Sequence, residues 1–227
     1  MHLGIFAEWR TVCFLSFLAV LAWLGLRFGK IVRGSRAWGK KRTRPLSTMI
    51  VLGSGGHTAE MLTLVENLNL SGYQPRCYVV SATDTHSAKK AIDLEKKVSQ
   101  ANGGFRAAVD IATIPRSREV GQSYITSVWT TAWACAWAFA LVCQHRPHLV
   151  VANGPGTCVP ICLSAFALRV LGLSDSRVVY VESIARVRTL SLSGRILYGL
   201  RAADKFVVQW PRLRDRFPRA EYHGRLY

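Results

Sequence analysis

The residues best suited to chemistry form a glycine-rich stretch, Gly53, Ser54, Gly55, Gly56, His57 and Thr58, between the apolar run 49–52 and a helical pattern. Glycines at a strand-to-helix turn let the backbone take positive φ and let a ligand approach closely. The unpaired N–H groups that open the helix, with the positive end of its dipole, attract an anion, most often a phosphate. The stretch is not a Walker A loop, because no Gly-Lys-Ser/Thr follows, and Thr58 takes the place of the third glycine of GxGxxG. A tight turn without a ligand is the plainer alternative. His57 stands where the turn enters the helix. Histidine changes charge near neutral pH, so this side chain can act as a general base or a phosphate donor, or simply cap the loop.

A second turn of the same kind, Gly154, Pro155, Gly156 and Thr157, follows the apolar run 148–152 and precedes a helix opened by Pro160. Two such turns at the carboxyl ends of parallel strands line one crevice, where open α/β sheets bind ligands. Arg116 and Arg118 follow a third strand, and strand ends of one parallel sheet face the same way, so both can reach that crevice; singly, each reads as part of a solvated loop. Glu182 ends a fifth strand and offers a carboxylate to a sugar hydroxyl or to a partner. Glu60, three residues beyond His57, is a further supporting residue, and Asp84 a weaker one. Arg212, Arg214, Arg216 and Arg219 form a basic edge facing solvent or a membrane.

These turns need a scaffold. Strands are predicted at 47–52, 76–81, 108–113, 148–152, 178–181 and 205–209, with helices near 58–69, 87–101, 123–144, 159–171 and 191–201. Mostly continuous apolar strands alternating with helices indicate an α/β fold with a doubly wound parallel sheet. The stretch 120–145 is 26 residues without a formal charge. It joins two strands of one sheet, so a membrane crossing there would separate them. Trp129, Trp133 and Trp137 recur every fourth residue, and the favoured expectation is a helix packed on the sheet by that stripe and its alanines. The alternative is a face that touches lipid.

With 227 residues, 50% hydrophobic and 19% charged, the chain is too apolar for disorder and fits one domain plus an appendage. Lys and Arg outnumber Asp and Glu 30 to 13, a net charge of +17, which favours an anionic partner: nucleic acid, a membrane surface or a phosphorylated ligand. The six cysteines form no CxxC pair and none has histidine at zinc-like spacing, which suggests a reducing compartment and no metal site. Residues 1–44 hold nine basic side chains and one acidic. Within them, 11–26 carries no charge, and with Arg27 snorkelling the apolar run reaches residue 29, about 19 residues, close to the length that crosses a bilayer. The basic residues that follow place them in the cytosol. The predicted organisation is a short lumenal N-terminus (1–10), a transmembrane helix (11–29), a basic linker (30–44) and a cytosolic domain (45–227). A cleaved signal peptide is the rival reading of the first segment.

The motifs LGSGGHTAEM (52–61), IPRSREVGQS (114–123), NGPGT (153–157), YVES (180–183) and YHGRLY (222–227) together give residues 47–227 a clear likeness. The region resembles the membrane-anchor subunits of the two-component UDP-GlcNAc transferase of the dolichol pathway. That enzyme adds the second GlcNAc to GlcNAc-diphosphodolichol at the cytosolic face of the endoplasmic reticulum. The family is in turn similar to the N-terminal, acceptor-binding half of the bacterial peptidoglycan GlcNAc transferase, a GT-B enzyme of two Rossmann-like domains. The resemblance implies a Rossmann-like acceptor domain behind one transmembrane helix, in the endoplasmic reticulum membrane and by continuity the nuclear envelope. It implies a heterodimer with a soluble catalytic subunit that binds UDP-GlcNAc, and no activity alone. By the same analogy Gly53, Ser54, Gly55, Gly56, His57, Thr58, Gly154, Pro155, Gly156 and Thr157 hold the acceptor diphosphate, without cofactor, metal or nucleic acid. His57 takes the basic role, Glu60, Arg116 and Arg118 support the site, and Glu182 lies toward the cleft between domains. A recruitment platform that binds no acceptor is the alternative function.

Overall fold

Seven parallel strands form one sheet in the order β3-β2-β1-β4-β5-β6-β7. They are β1 (Thr48–Val51), β2 (Arg76–Ser81), β3 (Val109–Ile114), β4 (Leu149–Asn153), β5 (Arg177–Val181), β6 (Lys205–Val208) and β7 (Glu221–Tyr222). The helices are α1 (His2–Gly34), α2 (Gly56–Glu66), α3 (Thr85–Ala101), α4 (Tyr124–His145), α5 (Cys158–Val170), α6 (Leu192–Gly199) and α7 (Pro211–Arg216). The structure, a computed structural model, describes residues 2–34, 44–101, 108–116, 123–154 and 156–227. Pro155, Arg118 and most of the basic linker lie outside the described residues. The doubly wound parallel sheet expected from the alternation is present, with β7 and α7 added at its end.

The sheet is covered on both faces. Alternate strand residues Ile50, Leu52, Tyr78 and Val80 pack with Met61 and Val65 of α2 and Ala91 and Leu94 of α3. Met49, Val51, Val79, Val150 and Tyr180 face the other way, into a larger core closed by α4, α5 and α6. Every residue of β1, β2 and β4 is buried, as expected of central parallel strands. β3, at the sheet edge, is exposed along its first half.

The tryptophan stripe of α4 departs from expectation. Ser127, Ala134, Ala138 and Val142 form its buried side, whereas Trp129, Trp133 and Trp137 are 82%, 61% and 50% exposed. Small side chains let α4 lie close against α5 and the sheet; three indoles could not fit in that gap. The sheet-packing role assigned to the tryptophans therefore belongs to the row of small residues.

α1 is longer than the apolar run predicts, and its segment Val12–Arg33 is long and apolar enough to cross a membrane. Its last turns dock on α5. Phe28 meets Phe166 edge-on at 5.9 Å, and Arg27 Nη2 donates to the carbonyl of Arg169 at 3.0 Å. Arg27 thus meets the negative end of the α5 dipole.

Candidate functional site

The strand order reverses between β1 and β4, which lie side by side while their following helices cover opposite faces of the sheet. This is the topological switch point, and both glycine turns leave from it. Gly55 caps α2 with φ 61°, a conformation that glycine takes without strain. Gly55 and Gly56 are exposed, and a Cβ on either would meet nothing within 4 Å, so the turn opens onto free space. The first turn of α2 leaves backbone N–H groups without helical partners.

The turn is stiffened from behind. Thr58 is buried, and its hydroxyl donates back to the carbonyl of Gly53. Ser87 Oγ stands 2.9 Å from the same carbonyl and 2.7 Å from Asp84 Oδ2. The Thr58 side chain is therefore unavailable to a ligand, which corrects its assignment as a direct contact; only its backbone N–H remains suitable. Asp84 has a structural part, fixing Ser87 at the start of α3.

Across the crevice, Gly154 takes φ 45° and lies directly under the imidazole of His57. A Cβ there would stand 2.7 Å from Nδ1. Gly156 is exposed with open space beside it, and the hydroxyl of Thr157, which caps α5, is buried without a partner. The two turns thus touch where the His57 ring lies on Gly154.

Glu60 ties these parts together. Its Oε2 accepts from Asn153 Nδ2 at 2.9 Å and its Oε1 from Ser183 Oγ at 2.8 Å, joining α2 to the ends of β4 and β5. Oε2 is also 3.9 Å from His57 Nδ1, too long for a hydrogen bond. The buried phenol of Tyr227 stands beside Asn153 and Gln209 without hydrogen-bond alignment, and burial pushes its pKa up. The segment that carries it is held by Leu226 N donating to Gln209 Oε1 and by Arg225 stacked on Trp210. Asn153 and Tyr227 belong to the NGPGT and YHGRLY motifs, where no individual role was expected of them; Gln209 has no local signal in the sequence.

Glu182 faces inward, not into the crevice. It is fully buried, and its carboxylate accepts from Ser191 N (3.0 Å), Ser191 Oγ (3.1 Å) and Ser183 N (3.1 Å). Burial raises its pKa against the opposing pull of these donors. Gly194 permits this packing, since a Cβ there would strike Glu182 Oε2. Its expected contact with a sugar or partner is therefore replaced by the task of anchoring the β5–α6 loop. Arg116, at the end of β3, donates from Nε to Ser81 Oγ at 3.1 Å and so sits two strands from the switch point.

One mixed group of potential metal ligands occurs among the described residues, at the far, amino-terminal edge of the sheet. Cys77, Asp110 and His145 bring their ligand atoms within 4.8 Å of one another. Their sequence spacing hides them because they come from β2, β3 and α4. Burial, reinforced by Asp110, pushes the Cys77 thiol up to about 12, so it is protonated at neutral pH. The group has no part in the glycine crevice.

The family model described as "Oligosaccharide biosynthesis protein Alg14 like" matches residues 48–226. The protein of Yarrowia lipolytica named UDP-N-acetylglucosamine transferase subunit ALG14 is 45% identical over 220 residues, 95% of this chain and 99% of its own. Its namesake in Homo sapiens is 43% identical over 209 residues, 92% of this chain and 94% of its own. Among solved structures, MurG of Acinetobacter baumannii aligns with a TM-score of 0.50 at 19% identity, covering 79% of this chain and 44% of that one. The chain thus matches less than half of MurG, and this likeness concerns the fold, that of one Rossmann-like half of a GT-B glycosyltransferase.

Proposed function

The chain belongs to the Alg14 family, and from that membership we propose that it is the membrane-anchoring, acceptor-binding subunit of a two-chain UDP-GlcNAc transferase. The acceptor is GlcNAc-diphosphodolichol, and a soluble partner subunit binds UDP-GlcNAc. The observation that carries this reading is the meeting of two open glycine turns at the switch point, with His57 lying on Gly154.

The diphosphate lies across the N-termini of α2 and α5. Backbone N–H groups of 56–58 and the dipoles of both helices meet its charge without needing a lysine. His57, one edge buried and the side chain 36% exposed, is placed to take the proton of the acceptor hydroxyl as that oxygen attacks the anomeric carbon of the donor. UDP leaves on the partner's side of the cleft.

A polyprenyl diphosphate stays in its membrane, so the enzyme gains from being held there. α1 spans the endoplasmic reticulum bilayer with its N-terminus lumenal, and the basic stretch after it meets the anionic cytosolic leaflet. The exposed tryptophans of α4, on a helix packed beside α5 where α1 docks, lie in the interfacial layer.

Affinity capture of the tagged chain from membranes, followed by a GlcNAc-transfer assay, tests the proposal. Transfer is expected only while a co-purified soluble chain is present, and should be lost with normal complex assembly when His57 and Gly55 are replaced. Transfer that survives those replacements with unchanged acceptor KM would leave only a recruitment platform.

A further inference from the structure

We infer that Glu60 is a positioning residue for His57, fixing the ring with its Nδ1–H turned to the carboxylate and Nε2 left free to accept a proton. The inference rests on the reading of His57 as the group that serves the acceptor hydroxyl.

Three observations converge on it. The carboxylate of Glu60 is immobilised, one oxygen held by Ser183 and the other by Asn153, and it is only 14% exposed. The nitrogen it faces, His57 Nδ1, is buried and has no hydrogen-bond partner. The ring is backed by Gly154, which limits how far it can swing away. A shift of about 1 Å closes the 3.9 Å gap to ordinary hydrogen-bond length.

The chemistry then sets the direction of the proton. A neutral imidazole carries one N–H, and an ionised carboxylate only accepts. The tautomer compatible with Glu60 therefore places hydrogen on Nδ1 and the lone pair on Nε2, the side of the ring that carries its exposure. The carboxylate, already held by Asn153 and Ser183, costs little reorganisation when the proton moves.

Glu60→Gln is the decisive substitution because it keeps shape and, once the Asn153 amide turns its unpartnered Oδ1 to accept, lets an amide N–H face Nδ1. It is introduced into the full chain captured with its soluble partner in detergent, with GlcNAc-diphosphate on a short isoprenoid as the acceptor probe. The expected result is a fall in kcat of roughly 100-fold or more with acceptor KM within about threefold. The ring-nitrogen NMR signals of His57 should shift from the Nδ1–H to the Nε2–H pattern. Ser183→Ala, which frees one carboxylate oxygen and leaves the other held, should give a smaller loss in kcat, so the test does not depend on one variant folding. Unchanged kcat in Glu60→Gln while His57→Ala is inactive, or an unchanged His57 tautomer, overturns the inference. A shifted tautomer with full activity in both Glu60→Gln and His57→Ala would uphold the geometry and reject His57 as the base.

Discussion

The imidazole of His57 rests on the backbone of Gly154, joining two turns that are far apart in the chain and adjacent at the switch point of the sheet. Gly154 serves two purposes there: it takes φ 45°, and it leaves room for the ring. Gly154→Ala is expected to lose about 1–3 kcal/mol of stability from backbone strain alone. It should also displace His57 and so depress transfer far more than the thermal shift accounts for. Thermal unfolding and transfer rate, measured on one preparation, check this.

The exposed face of α4 predicts a second membrane contact. Removing residues 1–34 should leave part of the protein with membrane vesicles, and replacing Trp129, Trp133 and Trp137 by Ser in that shortened chain should release it. Each tryptophan is at least half exposed, so the triple replacement should cost no more than roughly a few kcal/mol and leave the fold intact. Vesicle co-sedimentation, alongside urea unfolding, separates lipid contact from packing.

Glu182 gives a stability prediction with a definite sign. Its folded pKa is raised by burial. The stability linked to its proton is therefore complete below the unfolded value and is lost as pH rises through the folded one. Glu182→Gln should flatten that decline across the range. Glu182→Ala should cost about 3 kcal/mol, because it leaves the buried N–H groups of Ser183 and Ser191 without an acceptor. Urea midpoints across a pH series measure both.

Much of this architecture is legible in the chain itself. The six predicted strands fall within a residue or two of those observed, because buried parallel strands are short, uninterrupted apolar runs. The two-residue β7 and the six-residue α7 are too short to show a period. The α4 stripe was misassigned because indoles and alanines both recur every fourth residue, and periodicity alone does not say which row meets the sheet. Glu182 looked like a cleft residue because it ends a strand, but the serines that enclose it belong to the loop beyond. Glu60 finds its partners 93 and 123 positions away, so no local pattern announces them. The glycine turns were readable because positive φ and open space demand glycine at the turn itself.

Gly56→Ala and Gly156→Ala test most directly whether the two turns hold the acceptor diphosphate. A methyl group at either position meets no protein atom and strains no dihedral, so the fold should be unaffected, but it would fill the space where a phosphate lies. For the captured two-chain enzyme, the account predicts an acceptor KM raised roughly tenfold or more, with the KM for UDP-GlcNAc and the melting temperature unchanged. A rise in the UDP-GlcNAc KM instead, or no change in either constant, would contradict it.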